Sequence, residues 1–108
     1  MISNALIKAI QKAEKYPYIV RVGVFGSYAR SEATAESDID ILIDYDNSSD
    51  DFLDNVDNFM YDFESAIHGK VDYVTLPVLM RSHNESLREE ILRDVKWIYE
   101  VTRHSNLL

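Results

Sequence analysis

Two short groups of residues carry the chemistry that this sequence suggests. Gly26 and Ser27 form one group, and Asp38 and Asp40 form an Asp-x-Asp pair that follows after ten intervening residues. Glycine can turn sharply at the end of a strand, and a serine that caps a short helix leaves backbone N–H groups aimed at an anion. The run DIDILID, residues 38–44, alternates acidic and aliphatic residues, so its carboxylates share one face of a strand. Together the two groups predict a site for a nucleoside triphosphate and a divalent metal.

Strand geometry limits which of these carboxylates can share a metal site. Asp38 and Asp40 would lie about 6.6 Å apart along the strand, whereas Asp44 would lie about 13 Å beyond Asp40. Paired catalytic ions are roughly 4 Å apart, so Asp44 is too distant to join them. A third ligand must therefore come from another element.

Magnesium is the cation that this arrangement favours. Two carboxylates about 4 Å apart repel by about 4 kcal/mol at an effective dielectric constant of 20, so clustering them requires a cation. Mg²⁺ prefers oxygen ligands and is usually held by one or two carboxylates together with substrate phosphates. A lone Asp-x-Asp is usually a solvated strand edge, and a lone Gly-Ser is usually only a turn. Their combination between two strands favours the functional interpretation.

A further predicted strand offers the missing acid. Residues 70–76, KVDYVTL, are β-prone and end before Pro77, and Asp72 interrupts an otherwise apolar run. If this strand lies beside the DIDILID strand, a spacing of about 4.8 Å brings Asp72 within reach of Asp38 and Asp40. An edge strand with Asp72 facing water is the alternative that the sequence leaves open.

The remaining elements must position these groups. An apolar stripe near the N-terminus predicts a first helix, and residues 18–25 predict a buried strand that delivers Gly26 at its end. A second strand is predicted at about 38–45. A wide apolar stripe over residues 52–67 predicts a helix, for which Gly69 is a suitable end.

The C-terminal part of the chain is ambiguous. A helix-like set, Leu87, Ile91, Leu92 and Val95, precedes an aromatic run at residues 96–102 that favours a strand. One continuous helix is the alternative, but a helix followed by a strand is preferred. The tail, residues 103–108, is expected to fray.

Size and charge limit the classes of function. With 108 residues, 12.5 kDa and 46% hydrophobic residues, the chain is predicted to form one globular domain, 1–108. A net charge of −8, from 19 acidic and 11 basic residues, disfavours direct binding to long nucleic acids. No apolar run suits a membrane span, no secretion signal is visible and cysteine is absent, so we expect a cytoplasmic protein.

On these motifs the chain resembles the minimal nucleotidyltransferases of the DNA polymerase β superfamily, whose pattern is Gly-Ser, ten residues, then Asp-x-Asp. GSYARSEATAESDIDILI resembles the family's core motif, VDYV its third acidic strand, and LREEILRDVKWIYE its usual ending. The resemblance implies an α/β (α+β) fold, a small mixed β-sheet flanked by helices, and it supports a final strand. Ser31 and Ala35 depart from the pattern, since relatives usually carry glycine and often proline there.

The resemblance also implies a role for each motif residue. Asp38 and Asp40 would bind magnesium, expected as two ions, and the nucleotide phosphates, while Gly26 and Ser27 would hold the phosphate tail. Asp72 would complete the metal site and help to activate the acceptor. The implied reaction is in-line attack of a hydroxyl group on the α-phosphorus of ATP, which leaves an adenylylated acceptor and pyrophosphate.

Arg30 matches the family pattern as well. Its guanidinium would contact phosphate by this resemblance, or it would brace nearby Asp or Glu side chains instead. The residues alone leave both roles open.

The acceptor implied by the resemblance is a protein. Many relatives are antitoxins encoded beside a HEPN-domain toxin, and some silence it by adding AMP to a toxin tyrosine. One alternative is an antitoxin that neutralises its partner by contact, with a vestigial nucleotide site. Another is a nucleotidyltransferase for a small molecule such as an aminoglycoside. Length argues against the latter, because such enzymes generally carry an additional acceptor-binding domain. A homo-oligomer and a hetero-oligomer both remain open.

Overall fold

The computed structural model describes residues 2–101, in which a four-stranded mixed β-sheet carries helices on both faces. The helices are α1 (Asn4–Gln11), α2 (Gly26–Ala29), α3 (Phe52–Ala66), α4 (Leu76–Met80) and α5 (Glu85–Asp94), with a 3-10 helix at Lys12–Lys15 after α1. The strands are β1 (Ile19–Phe25), β2 (Ile39–Tyr45), β3 (Val71–Thr75) and β4 (Lys96–Glu100). The predicted α/β (α+β) class, with a small mixed sheet flanked by helices, is confirmed.

The order of the strands in the sheet is β3-β2-β1-β4. β1 pairs antiparallel with β2 and with β4, whereas β2 and β3 run parallel. Parallel neighbours need a crossover connection, which α3 provides. The parallel register places Asp40 directly opposite Asp72. β3 is also an edge strand, and Asp72 is exposed on it. The two alternatives from the sequence, a position beside Asp40 and an edge position facing water, are therefore both found.

One hydrophobic core lies between the sheet and the helices α1 and α3. The side chain of Ser3 caps α1 by accepting a hydrogen bond from the Leu6 N–H at 3.2 Å, as expected for a serine at this position. Inward residues of β2 alternate with outward ones, so the three isoleucines of this strand enter the core. The buried side chains of α3 recur at three and four residue steps: Val56, Phe59 and Phe63.

A smaller core lies on the other face, beneath α4 and α5. It consists of Phe25, Leu42, Leu79 and Ile91. The predicted apolar face of α5 is therefore only partly buried, since Leu87 and Leu92 are 44% and 39% exposed. Ile91 is the only residue of α5 that is fully buried in this core.

The ambiguous C-terminal segment forms a helix followed by a strand, as preferred from the sequence. The last residue of the predicted strand, Thr102, and the tail 103–108 lie outside the described residues. Between residues 2 and 101, no helix combines the length and the apolar character that a membrane crossing requires.

Gly23 lets β4 approach β1 closely. The pairing of these strands is irregular between Val22 and Gly23. A Cβ atom on Gly23 would lie 2.7 Å from Val95 Cγ2 and 2.9 Å from the backbone oxygen of Lys96. Real Cβ atoms do not approach other atoms so closely, so a side chain here would force the two strands apart.

Gly23→Ala is therefore expected to lower the free energy of unfolding by about 1–3 kcal/mol, the usual effect of overpacking a core. For a domain of this size each kcal/mol lowers Tm by roughly 4–8 °C. Urea and thermal unfolding followed by circular dichroism would measure both quantities. An unfolding midpoint equal to that of the wild type would contradict the close approach of the two strands.

Candidate active site

Gly26 joins the two halves of the sequence motif in space. It directly follows β1 and has a φ of +69°, in the left-handed region that glycine adopts readily. A Cβ atom at this position would collide with the carboxylate of Asp40. Phe25, the preceding residue, is the antiparallel partner of Asp40. The absence of a side chain at Gly26 therefore allows the start of α2 to lie against the acidic strand.

The expected N-cap role of Ser27 is wrong. α2 already begins at Gly26, its N-cap residue is Phe25, and no side chain caps it. The helix begins two residues earlier than expected, at Gly26 rather than Tyr28, because the positive φ of Gly26 turns the chain directly at the end of the strand. Ser27 is thus the second residue of α2, where backbone N–H groups have no acceptor within the helix itself.

The loop between α2 and β2 keeps the backbone shape that a glycine would allow. Ser31 has a φ of +60°, the left-handed conformation that is strained by roughly 1–2 kcal/mol for residues with a side chain. The serine that departs from the family pattern therefore retains a conformation suited to glycine. Farther along, Thr34 and Ser37 close a turn, in which the Thr34 N–H donates to Ser37 Oγ at 2.8 Å.

The three predicted acids lie at one end of the sheet. Asp38 directly precedes β2, Asp40 is the second residue of β2, and Asp72 is the second residue of β3. Asp38 and Asp40 are half-buried, whereas Asp72 is exposed. In the part of the chain that the structure describes, no three His, Cys, Asp or Glu side chains form a group that could hold a metal ion. The three carboxylates thus lie near one another without pointing at a common metal position.

The charges of these acids act on one another. Burial raises the pKa of the Asp40 carboxyl above its ordinary value, and the negative charges of Asp72 and Asp38 raise it further. The positive charge of Arg30 lowers the same pKa. Carboxylate oxygens that repel one another in this way are the donor set that Mg²⁺ prefers.

Arg30 braces two acidic side chains. Its Nε donates a hydrogen bond to Glu32 Oε1 at 2.9 Å, and its Nη1 donates to Asp94 Oδ2 at 2.9 Å. This is the bracing role that the sequence left open, while contact with phosphate stays a prediction. Spacing along the chain did not identify Asp94, because it lies 64 residues from Arg30. Its one local signal is a negative charge at the end of a helix, where such charges are unfavourable.

Asp44 has a different partner. Its Oδ2 accepts hydrogen bonds from Nε and Nη2 of Arg21, both at 3.3 Å, and the two residues are antiparallel neighbours. The guanidinium of Arg21 also lies 4.1 Å from the centre of the Trp97 ring. Asp44 thus belongs to a separate charged pair, in keeping with its exclusion from the acidic group on distance.

A cleft of about 300 Å³ opens on the face of the sheet opposite to Asp38 and Asp40. Its lining is mainly apolar and includes Leu6, Tyr28, Ile39, Ile67 and His68. Ile39 alternates with Asp38 and Asp40, so its side chain points away from theirs. The cleft therefore does not contain the acidic group.

We expect Asp40→Asn to raise Tm at neutral pH in the absence of divalent cations. A carboxyl whose pKa is raised by folding destabilises the folded state wherever it is ionised, and the amide removes that penalty. The increase in Tm should vanish at a pH below the ordinary pKa range of a carboxyl group, where Asp40 is protonated in both the folded and unfolded states. Thermal unfolding over a pH series measures this. Asp57→Asn, which neutralises an exposed acid of α3, is the control, and an equal change in both variants would contradict the expectation.

Comparison with known proteins agrees with the motif. A family model described as "Polymerase beta, Nucleotidyltransferase" matches residues 7–104. A protein of Methanocaldococcus jannaschii named "Putative protein adenylyltransferase MJ1379" is 33% identical over 95 residues, which cover 86% of this chain and 91% of that protein. The alignment therefore spans most of both chains.

Solved structures share the fold. One described as "putative minimal nucleotidyltransferase" has a TM-score of 0.64 at 29% identity, covering 85% of this chain and 88% of that one. Another chain comes from a complex described as a tri-AMPylated Shewanella oneidensis HEPN toxin with MNT antitoxin. It has a TM-score of 0.56 at 22% identity, and the match covers 94% of this chain and 76% of that one. The motif, the fold and the extent of the family match agree: the chain belongs to the polymerase β nucleotidyltransferase family.

Proposed function

We propose that this protein transfers AMP from ATP to a hydroxyl group of a protein partner. The observation that carries the proposal is the parallel register that sets Asp40 opposite Asp72, with Asp38 two residues before Asp40. Gly26 places the start of α2 against the Asp40 carboxylate. The turn that we propose to bind phosphate and the three acids therefore lie at the same end of the sheet.

Magnesium fits the residues at this end of the sheet. Asp38, Asp40 and Asp72 supply only oxygen donors, and their mutual repulsion is what a divalent cation would relieve. When bound, magnesium, proposed as a pair of ions, would neutralise the charge of the phosphates and of the departing pyrophosphate. The three side chains do not surround a metal position as they stand, so we propose that they would turn toward the ion and hold it when it binds.

The protein's own groups have separate parts in the reaction. Backbone N–H groups of Gly26 and Ser27 would hold the phosphate tail, and Arg30 would add a positive charge. The acceptor hydroxyl oxygen would attack the α-phosphorus, forming one P–O bond as the bond between this phosphorus and the pyrophosphate oxygen breaks. Asp72, which is exposed, would accept the hydroxyl proton from an acceptor on another molecule.

The proposed acceptor is a tyrosine of a HEPN-domain toxin, which would make this protein an antitoxin. Support comes from the name of the Methanocaldococcus jannaschii relative and from the solved complex of an AMPylated HEPN toxin with its antitoxin. The net charge of −8 adds support, because it disfavours a long nucleic acid as the acceptor. A protein acceptor also brings its own binding surface to a small domain.

Intact-mass analysis of the HEPN partner after incubation with this protein, ATP and Mg²⁺ tests the proposal. The partner should gain the mass of one or more AMP groups. Asp40→Asn and Asp72→Asn should each reduce the rate by about 100-fold or more, the usual size for groups that stabilise transition-state charge. Asp57→Asn, an exposed acid on α3, should retain the wild-type rate.

Two results would contradict adenylyl transfer. The first is a partner that is neutralised without any gain in mass, which would indicate an antitoxin that acts by contact. The second is an Asp40→Asn variant that transfers AMP at the wild-type rate, which would remove the acids from the reaction.

A further inference from the structure

Asp94 links the last helix to the motif helix. It is the last residue of α5, and its Oδ2 accepts a hydrogen bond from Nη1 of Arg30 at 2.9 Å. Its side chain is 16% exposed, whereas Glu32, the other acid bound by Arg30, is 65% exposed. Water screens exposed ion pairs and leaves their side chains mobile. Asp94 is therefore the partner that restrains the Arg30 guanidinium more strongly.

The position of Asp94 is unfavourable for its own helix. The last carbonyl groups of a helix give its C-terminus a partial negative charge, so a carboxylate there is repelled. Arg93 lies 3.9 Å from the other carboxylate oxygen of Asp94, but its side chain is 71% exposed. The well-defined favourable interaction of this carboxylate is thus with Arg30, on a different element.

The two sides of this ion pair are anchored in one core. Ile91, one turn before Asp94, is buried together with Phe25 and Leu42. Phe25 is the residue immediately before Gly26, where α2 begins. The same packing therefore fixes the Asp94 carboxylate relative to the start of the motif helix.

Arg30 is placed to act on the site. It directly follows α2, and its backbone N–H donates to the Gly26 carbonyl oxygen at 3.1 Å. A guanidinium carries five N–H donors in one plane, and the bonds to Glu32 and Asp94 engage two of them. Its charge lowers the pKa of Asp40, so the guanidinium lies within electrostatic reach of the acids.

We propose that Asp94 is a positioning residue, which holds the Arg30 guanidinium so that its remaining N–H groups can contact the nucleotide phosphates. This inference rests on the proposed function, in which Arg30 binds phosphate. Without the restraint, the long arginine side chain samples many rotamers in the free protein. Nucleotide binding must then order it, and this ordering lowers the affinity.

Asp94→Asn is the direct test, because the amide keeps the shape of the side chain and removes its charge. Titration calorimetry with ATP and Mg²⁺ should show affinity about 3- to 10-fold weaker, the size expected for ordering one flexible side chain. Tm should change little, since the loss of the Arg30 ion pair is offset by the removal of a negative charge from the C-terminus of α5. A purely structural ion pair would give the opposite pattern, with a lower Tm and unchanged affinity.

Matched variants separate this effect from general changes in charge. Glu90→Gln removes the same charge from an exposed position of α5 and should leave ATP affinity unchanged. Asp94→Glu keeps the carboxylate and should recover part of the lost affinity. In an Arg30→Ala background, Asp94→Asn should weaken binding no further, because its effect acts through the arginine.

The outcomes distinguish this inference from the function on which it rests. A wild-type protein that does not bind ATP overturns the proposed function and the positioning role together. If the wild type binds ATP and Asp94→Asn binds it as tightly as Glu90→Gln does, the positioning role alone is overturned. A loss of affinity that persists in full in the Arg30→Ala background also overturns it.

Discussion

The parallel pairing of β2 with β3 is the constraint on which the rest of this structure depends, because it sets two negative charges side by side. Asp40 and Asp72 are direct partners across the strands. Packing fixes the register: Ile39, Ile41 and Ile43 are buried on the opposite face of β2. A slip of one residue would turn these side chains to the outer face and the carboxylates to the core. The hydrophobic core therefore holds the acids together against their own repulsion.

The second constraint is the antiparallel pairing of β1 with β2, which joins the two halves of the motif. Phe25 lies opposite Asp40, so the chain must turn at the next residue and return within a short loop. Gly26 makes this turn with a positive φ and without a side chain that would displace the Asp40 carboxylate. The short helix α2 and residues 30–38 thus form the connection between the two antiparallel strands.

The spacing of apolar residues predicted most of the helices and strands. In β2 and α3 this spacing, every second residue and every third or fourth residue, directly indicates which side of the element is buried. From local pattern the position of β3 beside β2 was only a possibility, which the family resemblance favoured, and the parallel direction of the pairing comes from the structure. The predicted start of α2 is two residues too late, because a glycine with positive φ can itself begin the helix. The Arg30–Asp94 contact joins residues 64 positions apart, a distance at which no local pattern carries information. Leu87 and Leu92 follow helical spacing but remain partly exposed, because periodicity shows a face without showing what covers it.

The proposed function depends on Asp40 and Asp72, paired across the strands, acting as one cation site for a nucleotide. Electron paramagnetic resonance of Mn²⁺, used in place of Mg²⁺ with a non-hydrolysable ATP analogue, measures this binding directly. We expect the wild type and Asp57→Asn to bind Mn²⁺, and Asp40→Asn and Asp72→Asn to bind it at least about 10-fold more weakly. Equal Mn²⁺ affinity in all four proteins would contradict this expectation.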